Sequence, residues 1–213
     1  MVIAIDGPAG AGKSTVAEGV ARALGFTYLD SGAMYRAVAL AALERGIDPD
    51  DGERLGELAW ELDIDFVGDT IRLDGKPVEG RIRSPEVTLA SSRISVHPQV
   101  RQALVKRQRE LIAAGDYVAE GRDIGTVVSP DSPLKVFLTA DEGERARRRA
   151  ADSGEPVDEV RTAIRERDRR DQDRADSPLR QAEGAVEIDT TDLTPDQVVE
   201  RIAALARDRE LAR

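Results

Sequence analysis

Five short runs of apolar residues punctuate the chain, at 2–5, 26–29, 117–119, 135–138 and 186–188. Unbroken apolar runs of that length suit strands covered on both faces, as in a parallel sheet. Between them the period changes. Val16, Val20 and Leu24 recur at four-residue spacing in 14–24, the stretch 34–43 is rich in alanine, and Val100, Leu104, Leu111 and Ile112 fall near one stripe of 100–114. These patterns predict helices. Strand alternating with helix predicts a doubly wound α/β fold around a five-stranded parallel sheet. The segment 62–78 breaks the rhythm. There Asp63-Ile64-Asp65-Phe66-Val67 and Thr70-Ile71-Arg72-Leu73 alternate polar with apolar, and Gly68-Asp69 and Asp74-Gly75 are turn dipeptides. A small antiparallel β insert is expected, residues 50–95 with its flanking helices, between core segments 1–49 and 96–213. A closing helix is expected after Thr194, with Thr194 as N-cap and Pro195 at the first helical position.

The balance of 40% hydrophobic and 34% charged residues in 213 suits one well-buried core rather than disorder. The net charge of −10 disfavours non-specific binding to nucleic acid or anionic membrane. It leaves room for a local basic cleft, because ten arginines fall between Arg145 and Arg174. This biased stretch, about 142–175, is expected to form a helical, arginine-rich lid. With no cysteine, disulfides, thiolate metal sites and cysteine nucleophiles are excluded, and a reducing compartment fits. No apolar run approaches the ~20 residues that span a bilayer, and the first residues lack the basic start of a signal peptide. A cytoplasmic monomer is expected, with neither nucleic acid nor membrane as partner.

The chemistry concentrates in Gly7-Pro8-Ala9-Gly10-Ala11-Gly12-Lys13-Ser14, an ungapped match to the phosphate-binding loop, or P-loop. Its glycines let backbone N–H groups approach phosphate closely. The helix that follows adds its positive end. Lys13 supplies a cation for the β- and γ-phosphates, and Ser14, with Thr15 beside it, offers a hydroxyl to Mg²⁺. A P-loop alone does not separate kinases from GTPases, motors or ATPase subunits. The chain is too short for most motors, and no Asn-Lys-x-Asp-like segment is present. What remains favours a compact kinase, with a second anionic site and a lid that excludes water.

Three further segments carry a resemblance: Leu29-Asp30-Ser31-Gly32-Ala33-Met34-Tyr35-Arg36, Glu120-Gly121-Arg122-Asp123-Ile124-Gly125-Thr126-Val127-Val128 and Glu166-Arg167-Asp168-Arg169-Arg170-Asp171. With the P-loop, and in this order, they resemble the bacterial cytidylate kinases. The resemblance implies ATP and Mg²⁺, with CMP or dCMP as acceptor, and it makes the insert the monophosphate-side domain. It implies that Ser31, Ser92, Arg101 and Asp123 read the cytosine side, and that Arg36, Arg122, Arg167 and Arg174 hold the acceptor phosphate. Asp171 meets the ribose, and Arg148 closes over ATP, with Arg145, Arg147 and Arg149 as competitors for that role. A carboxylate at 123 accepts from the cytosine amino group and repels the uracil carbonyl, a physical route to base choice. This sequence differs from some members in carrying Ser14 ahead of Thr15 where they have glycine, and Gln172-Asp173 in place of a more basic pair.

Two other readings stay open at this level. One is a kinase of another small acceptor, such as UMP; the other is a nucleotide-binding switch with negligible transfer. Of the remaining conspicuous residues, His97 is expected at a loop or helix start, Trp60 in the core of the insert, and Asp50-Asp51 in a polar turn.

Overall fold

The computed structural model describes residues 1–211. The five apolar runs are strands: β1 (Val2–Asp6), β2 (Thr27–Asp30), β6 (Tyr117–Gly121), β7 (Leu134–Thr139) and β8 (Val186–Asp189). They form one parallel sheet in the order β2-β6-β1-β7-β8. The P-loop strand β1 is therefore central, paired with β6 through Ala4↔Ala119 and with β7 through Ala4↔Lys135. The chain winds to one side of β1 for β2 and to the other for β7 and β8. This is the doubly wound arrangement, which binds ligands beyond the carboxyl ends of its strands.

Helices α1 (Lys13–Leu24) and α8 (Pro195–Leu211) seal the core beside the sheet. Val16, Ala17, Val20 and Ala21 of α1 join Val198, Ile202 and Ala206 of α8, with Ile3, Ile5, Val118, Leu134, Val136, Leu138 and Ile188 from the strands. Thr194 does cap α8: its Oγ1 accepts from Gln197 N, and the Gln197 side chain accepts from Thr194 N, a reciprocal pair like a capping box.

Two compact units are present: Met1–Leu29 with the chain from Gly115 onward, and Asp30–Ala114. The second unit contains α2 (Ser31–Glu44), α3 (Gly52–Glu61), α4 (Pro85–Ile94), α5 (Pro98–Ile112) and the antiparallel strands β3 (Ile64–Val67), β4 (Thr70–Leu73) and β5 (Lys76–Pro77). It extends beyond the 50–95 of the sequence expectation because α2 packs on α4, and α5 on α3. The arginine-rich segment is two helices of the first unit, α6 (Glu142–Ser153) and α7 (Val157–Asp173), packed on each other.

One core assignment is corrected. Trp60 is 54% exposed. Helix α3 buries Leu55, Leu58 and Ala59, and a further step of about 100° carries residue 60 round to solvent. There the Lys106 ammonium lies 5.1 Å from its ring centroid. His97 stands at the start of α5, its Nε2 2.8 Å from Pro49 O. Asp51 caps α3 by accepting from Arg54 N. Among the described residues no helix is long and apolar enough to cross a membrane.

Candidate active site

In the first unit the site is built on the carboxyl ends of β1 and β6. Gly7, Gly10 and Gly12 all have positive φ. At Gly7 an added Cβ would lie 2.2 Å from Leu138 O, so the loop can leave β1 beside β7 only with glycine there. Gly10 is crowded to a lesser degree: its Cβ position is 3.0 Å from the backbone oxygen of Arg145. Helix α1 begins at Lys13 with no side-chain cap. Its first N–H groups are therefore left for a ligand, as phosphate binding requires. Ser14 and Thr15 are both exposed on its first turn, so both hydroxyls remain candidates for an ion that arrives with phosphates.

Lys13 is buried, and its Nζ donates to Pro8 O at 2.8 Å, curling back across the loop. Burial lowers its pKa to about 7; Arg122 and Arg167 push the same way, while Glu120 and Asp171 oppose them. A cation this poorly compensated has much to gain from a polyphosphate.

Asp6, the last residue of β1, is a buried carboxylate that accepts from Ile124 N and Gly125 N, each at 2.8 Å. Burial raises its pKa to about 7, with Asp123 adding to the rise and the two N–H groups and Lys13 opposing it. Asp6 thus pins the turn after β6, the turn that presents Arg122 and Asp123. Beyond Asp123 the backbone makes a wide π-helical turn, Ile124–Val128, in which Ser129 N bonds Ile124 O at 2.7 Å.

Helix α7 supplies the other side of this cluster. Its buried stripe starts apolar with Val160 and Ile164 and continues as Asp168 and Asp171. A charge on such a stripe needs a partner, and each has one. Arg122 Nε donates to Asp171 Oδ2 at 2.9 Å, and Arg174 Nη1 stands 3.9 Å from Asp171 Oδ1. Burial pushes the Asp171 carboxyl up, but the charges of Arg122, Arg174 and Arg167 outweigh it and leave it below the usual range. Lys13, Arg122, Arg167, Asp171 and Arg174 are therefore one electrostatic cluster. The ion-pair partner of Arg122 is Asp171, not its chain neighbour Asp123.

The arginines of α6 take different partners. Arg148 is engaged with Glu144 through Nε, and with Thr190 and Thr191 through Nη1 and Nη2. Arg145 is the one that reaches the P-loop, donating to Ala9 O at 2.9 Å. Asp168 accepts from Ala9 N at 3.0 Å and pairs with Arg145. Arg147 bonds Glu144 at the surface.

In the second unit, Asp30 rather than Ser31 caps α2: its Oδ1 accepts from Ala33 N at 2.8 Å. Ser31 is buried in the first turn. The other Asp30 oxygen holds Arg36 at 2.7 Å, while the buried Arg36 Nε has no hydrogen-bond partner among the described residues. Such an orphan donor awaits an acceptor. Arg101 is 1% exposed, not part of a solvated face. Its guanidinium carbon lies 5.6 Å from the Tyr35 ring centroid, and Nη1 donates to Ser95 O. Ser92 is buried on α4 nearby in sequence, its carbonyl accepting from Ser95 Oγ.

Sequence reasoning passed over Asp6 and Asp168 as site-building residues, and left Arg145 as one of several arginines competing for a single role. The first two left a trace. Asp6 is an acid ending an apolar strand immediately before the P-loop, and Asp168 continues the 160–164 stripe at helical spacing. Nothing local separated Arg145 from its arginine neighbours.

The family model for cytidylate kinase matches residues 3–208. The chain is 51% identical over 205 residues to a cytidylate kinase of Caldanaerobacter subterraneus subsp. tengcongensis, covering 94% of this chain and 92% of that protein. It is 48% identical over 216 residues to a cytidylate kinase of Solibacter usitatus, covering 98% and 93%. Among solved structures, a gluconokinase from Sinorhizobium meliloti aligns at a TM-score of 0.55 and 17% identity, over 99% of this chain and 94% of that one, a likeness of fold alone. A P-loop followed by a buried cationic cluster, in a chain matched from end to end by one kinase family, leaves a single assignment: the chain belongs to the cytidylate kinase family.

Proposed function

We propose that this enzyme transfers the γ-phosphoryl group of ATP to CMP or dCMP, giving ADP and CDP or dCDP. The observation that carries the reading is the cluster of Lys13, Arg122, Arg167, Asp171 and Arg174 in a member of this family. Phosphoryl transfer is mainly positioning and charge stabilisation, so a set of fixed cations is the machinery it needs. No general base is required, because the acceptor phosphate is already a nucleophile.

In this reading Gly7, Pro8, Ala9, Gly10, Ala11, Gly12, Lys13, Ser14 and Thr15 hold ATP. Lys13 leaves Pro8 O for the β- and γ-phosphates. Arg148 can join them only on leaving Thr190 and Thr191. Ser14 is the protein ligand offered to Mg²⁺, with Thr15 also exposed beside it; the ion neutralises charge on the phosphates when bound. Arg36, Arg122, Arg167 and Arg174 take the acceptor phosphate, and the orphan Nε of Arg36 supports its part. Asp171 turns to the ribose. Ser31, Ser92, Arg101 and Asp123 read the cytosine. The absence of cysteine supports the reducing cytoplasm as its place of action, and small nucleotides are the expected partners of a monomer.

The test is ADP formation from ATP·Mg²⁺ with each nucleoside monophosphate in turn. Strong turnover with CMP and dCMP, and little with UMP, AMP or GMP, is expected. Preference for another acceptor would discard the Asp123 assignment, and hydrolysis indifferent to acceptor would favour a switch.

A further inference from the structure

We infer that Asp168 and Arg145 form a clamp on the P-loop at Ala9, and that Asp168 is a positioning residue for ATP. The inference rests on the reading of the P-loop as the ATP site.

Both polar groups of Ala9 are held from outside the loop. Its N–H donates to Asp168 Oδ1 at 3.0 Å, and its carbonyl accepts from Arg145 Nη1 at 2.9 Å. Arg145 also donates through Nε to Ala140 O at 3.2 Å, so its guanidinium is oriented by three acceptors. The pair is nearly shut off from water, with side chains 11% and 12% exposed. The Ala9 methyl packs with Ala146 and Ala150 of α6 and with Val160 and Ile164 of α7. The next residue, Gly10, has φ 76 and lies against Arg145, where an added Cβ would come within 3.0 Å of the backbone oxygen. Loop, α6 and α7 therefore meet at one point, and the orientation of the Ala9 peptide groups is set by two side chains 136 and 159 residues away.

Charge explains why both partners are needed. A carboxylate beside a phosphate-binding loop repels the ligand. Arg145 cancels that charge while Asp168 supplies the acceptor that the Ala9 N–H requires. An arginine meant for ATP would gain from losing its carboxylate partner; an arginine meant for the loop would not.

The experiment uses the full chain as wild type, Asp168→Ala, Asp168→Asn, Arg145→Met and the Asp168→Ala/Arg145→Met double variant. It measures KM for ATP at saturating CMP, KM for CMP at saturating ATP, and ATP affinity by calorimetry. A clamp raises KM for ATP on the order of ten-fold in Asp168→Ala and in Arg145→Met. KM for CMP moves less than about two-fold, and the double variant is no worse than the worse single, because both remove one device. If Asp168→Ala does not fold, Asp168→Asn reads the same split, with a smaller rise in KM for ATP because its amide oxygen can still accept from Ala9 N. Tighter ATP binding in Asp168→Asn would make Arg145 an ATP ligand and overturn the clamp. So would an unchanged KM for ATP in folded Asp168→Ala, or equal rises for ATP and CMP, the mark of general loosening. Wild-type protein that binds ATP without phosphorylating CMP would refute the proposed function, while calorimetry on the variants still decides the clamp.

Discussion

The P-loop and the three-stranded insert are both glycine-punctuated turns beside short strands, yet they are supported in opposite ways. The insert is built from its neighbours in sequence. Asp65 and Arg72 face each other across β3 and β4 and form an ion pair, and Asp63 N bonds Asp74 Oδ1 eleven residues away. The P-loop is built from afar. Leu138 limits Gly7, Arg145 limits Gly10, Asp168 and Arg145 hold Ala9, and Thr190 bonds Ala11 O. A binding loop held this way can be stiff while its N–H groups other than that of Ala9, which Asp168 holds, stay available to the ligand. A turn that only reverses the chain needs no such support.

Four substitutions or measurements sharpen this contrast, in order of expected effect. Arg122→Ala should lose about 10³-fold in turnover, the lower end for a transfer-site arginine. The fold should survive, because Asp171 retains Arg174. Activity and thermal unfolding measured on the same sample check both halves, and wild-type-like turnover would sink the assignment. Next, Gly7→Ala should cost about 3 kcal/mol or more, since its Cβ meets backbone. Gly75→Ala, at φ 75 in the β4–β5 turn with open space around it, should cost only about 1 kcal/mol. Equal losses in denaturant titration would erase the distinction between the two turns.

Asp6→Asn comes third. An amide accepts through one oxygen only, so one of the two N–H groups after Asp123 loses its partner, at about 1–3 kcal/mol. It should also change the pH dependence of stability. The Asp6 carboxyl has its pKa raised from 3.8 to about 7, so between these values the folded state holds a proton that the unfolded state has released. The wild-type contribution is therefore most favourable below about pH 4 and declines as pH rises through 7. The variant should lack that decline; unfolding midpoints across pH 4–8 decide. The smallest effect concerns Lys13. With its pKa near 7 in the free protein, it is partly neutral at pH 7.5. Phosphate binding favours the charged form, so ATP should bind with uptake of a fraction of a proton. Calorimetry in buffers of different ionisation enthalpy measures it, and zero uptake would show Lys13 already charged.

Much of the fold was legible because its signals are local. The apolar runs fell on the strands, and alternation with turn dipeptides marked the hairpin of β3 and β4. Trp60 was misjudged because an apolar triplet on a helix spans too wide an arc to share one face. Arg101 shares its helix with other basic residues, and its burial beside Tyr35 and Ser95 exists only in the folded unit.

By itself the sequence determined the P-loop, the sheet that carries it and the family, since these depend on residue types at fixed short spacings. Only the tertiary structure decided which of the four arginines of α6 touches the loop, that Arg122 pairs with Asp171, and that Asp6 holds the turn bearing Arg122 and Asp123. The reason is physical: a hydrogen bond between residues 118 or 159 positions apart leaves no periodicity in the chain, and burial, which gives a charge its meaning, does not exist until the chain has folded.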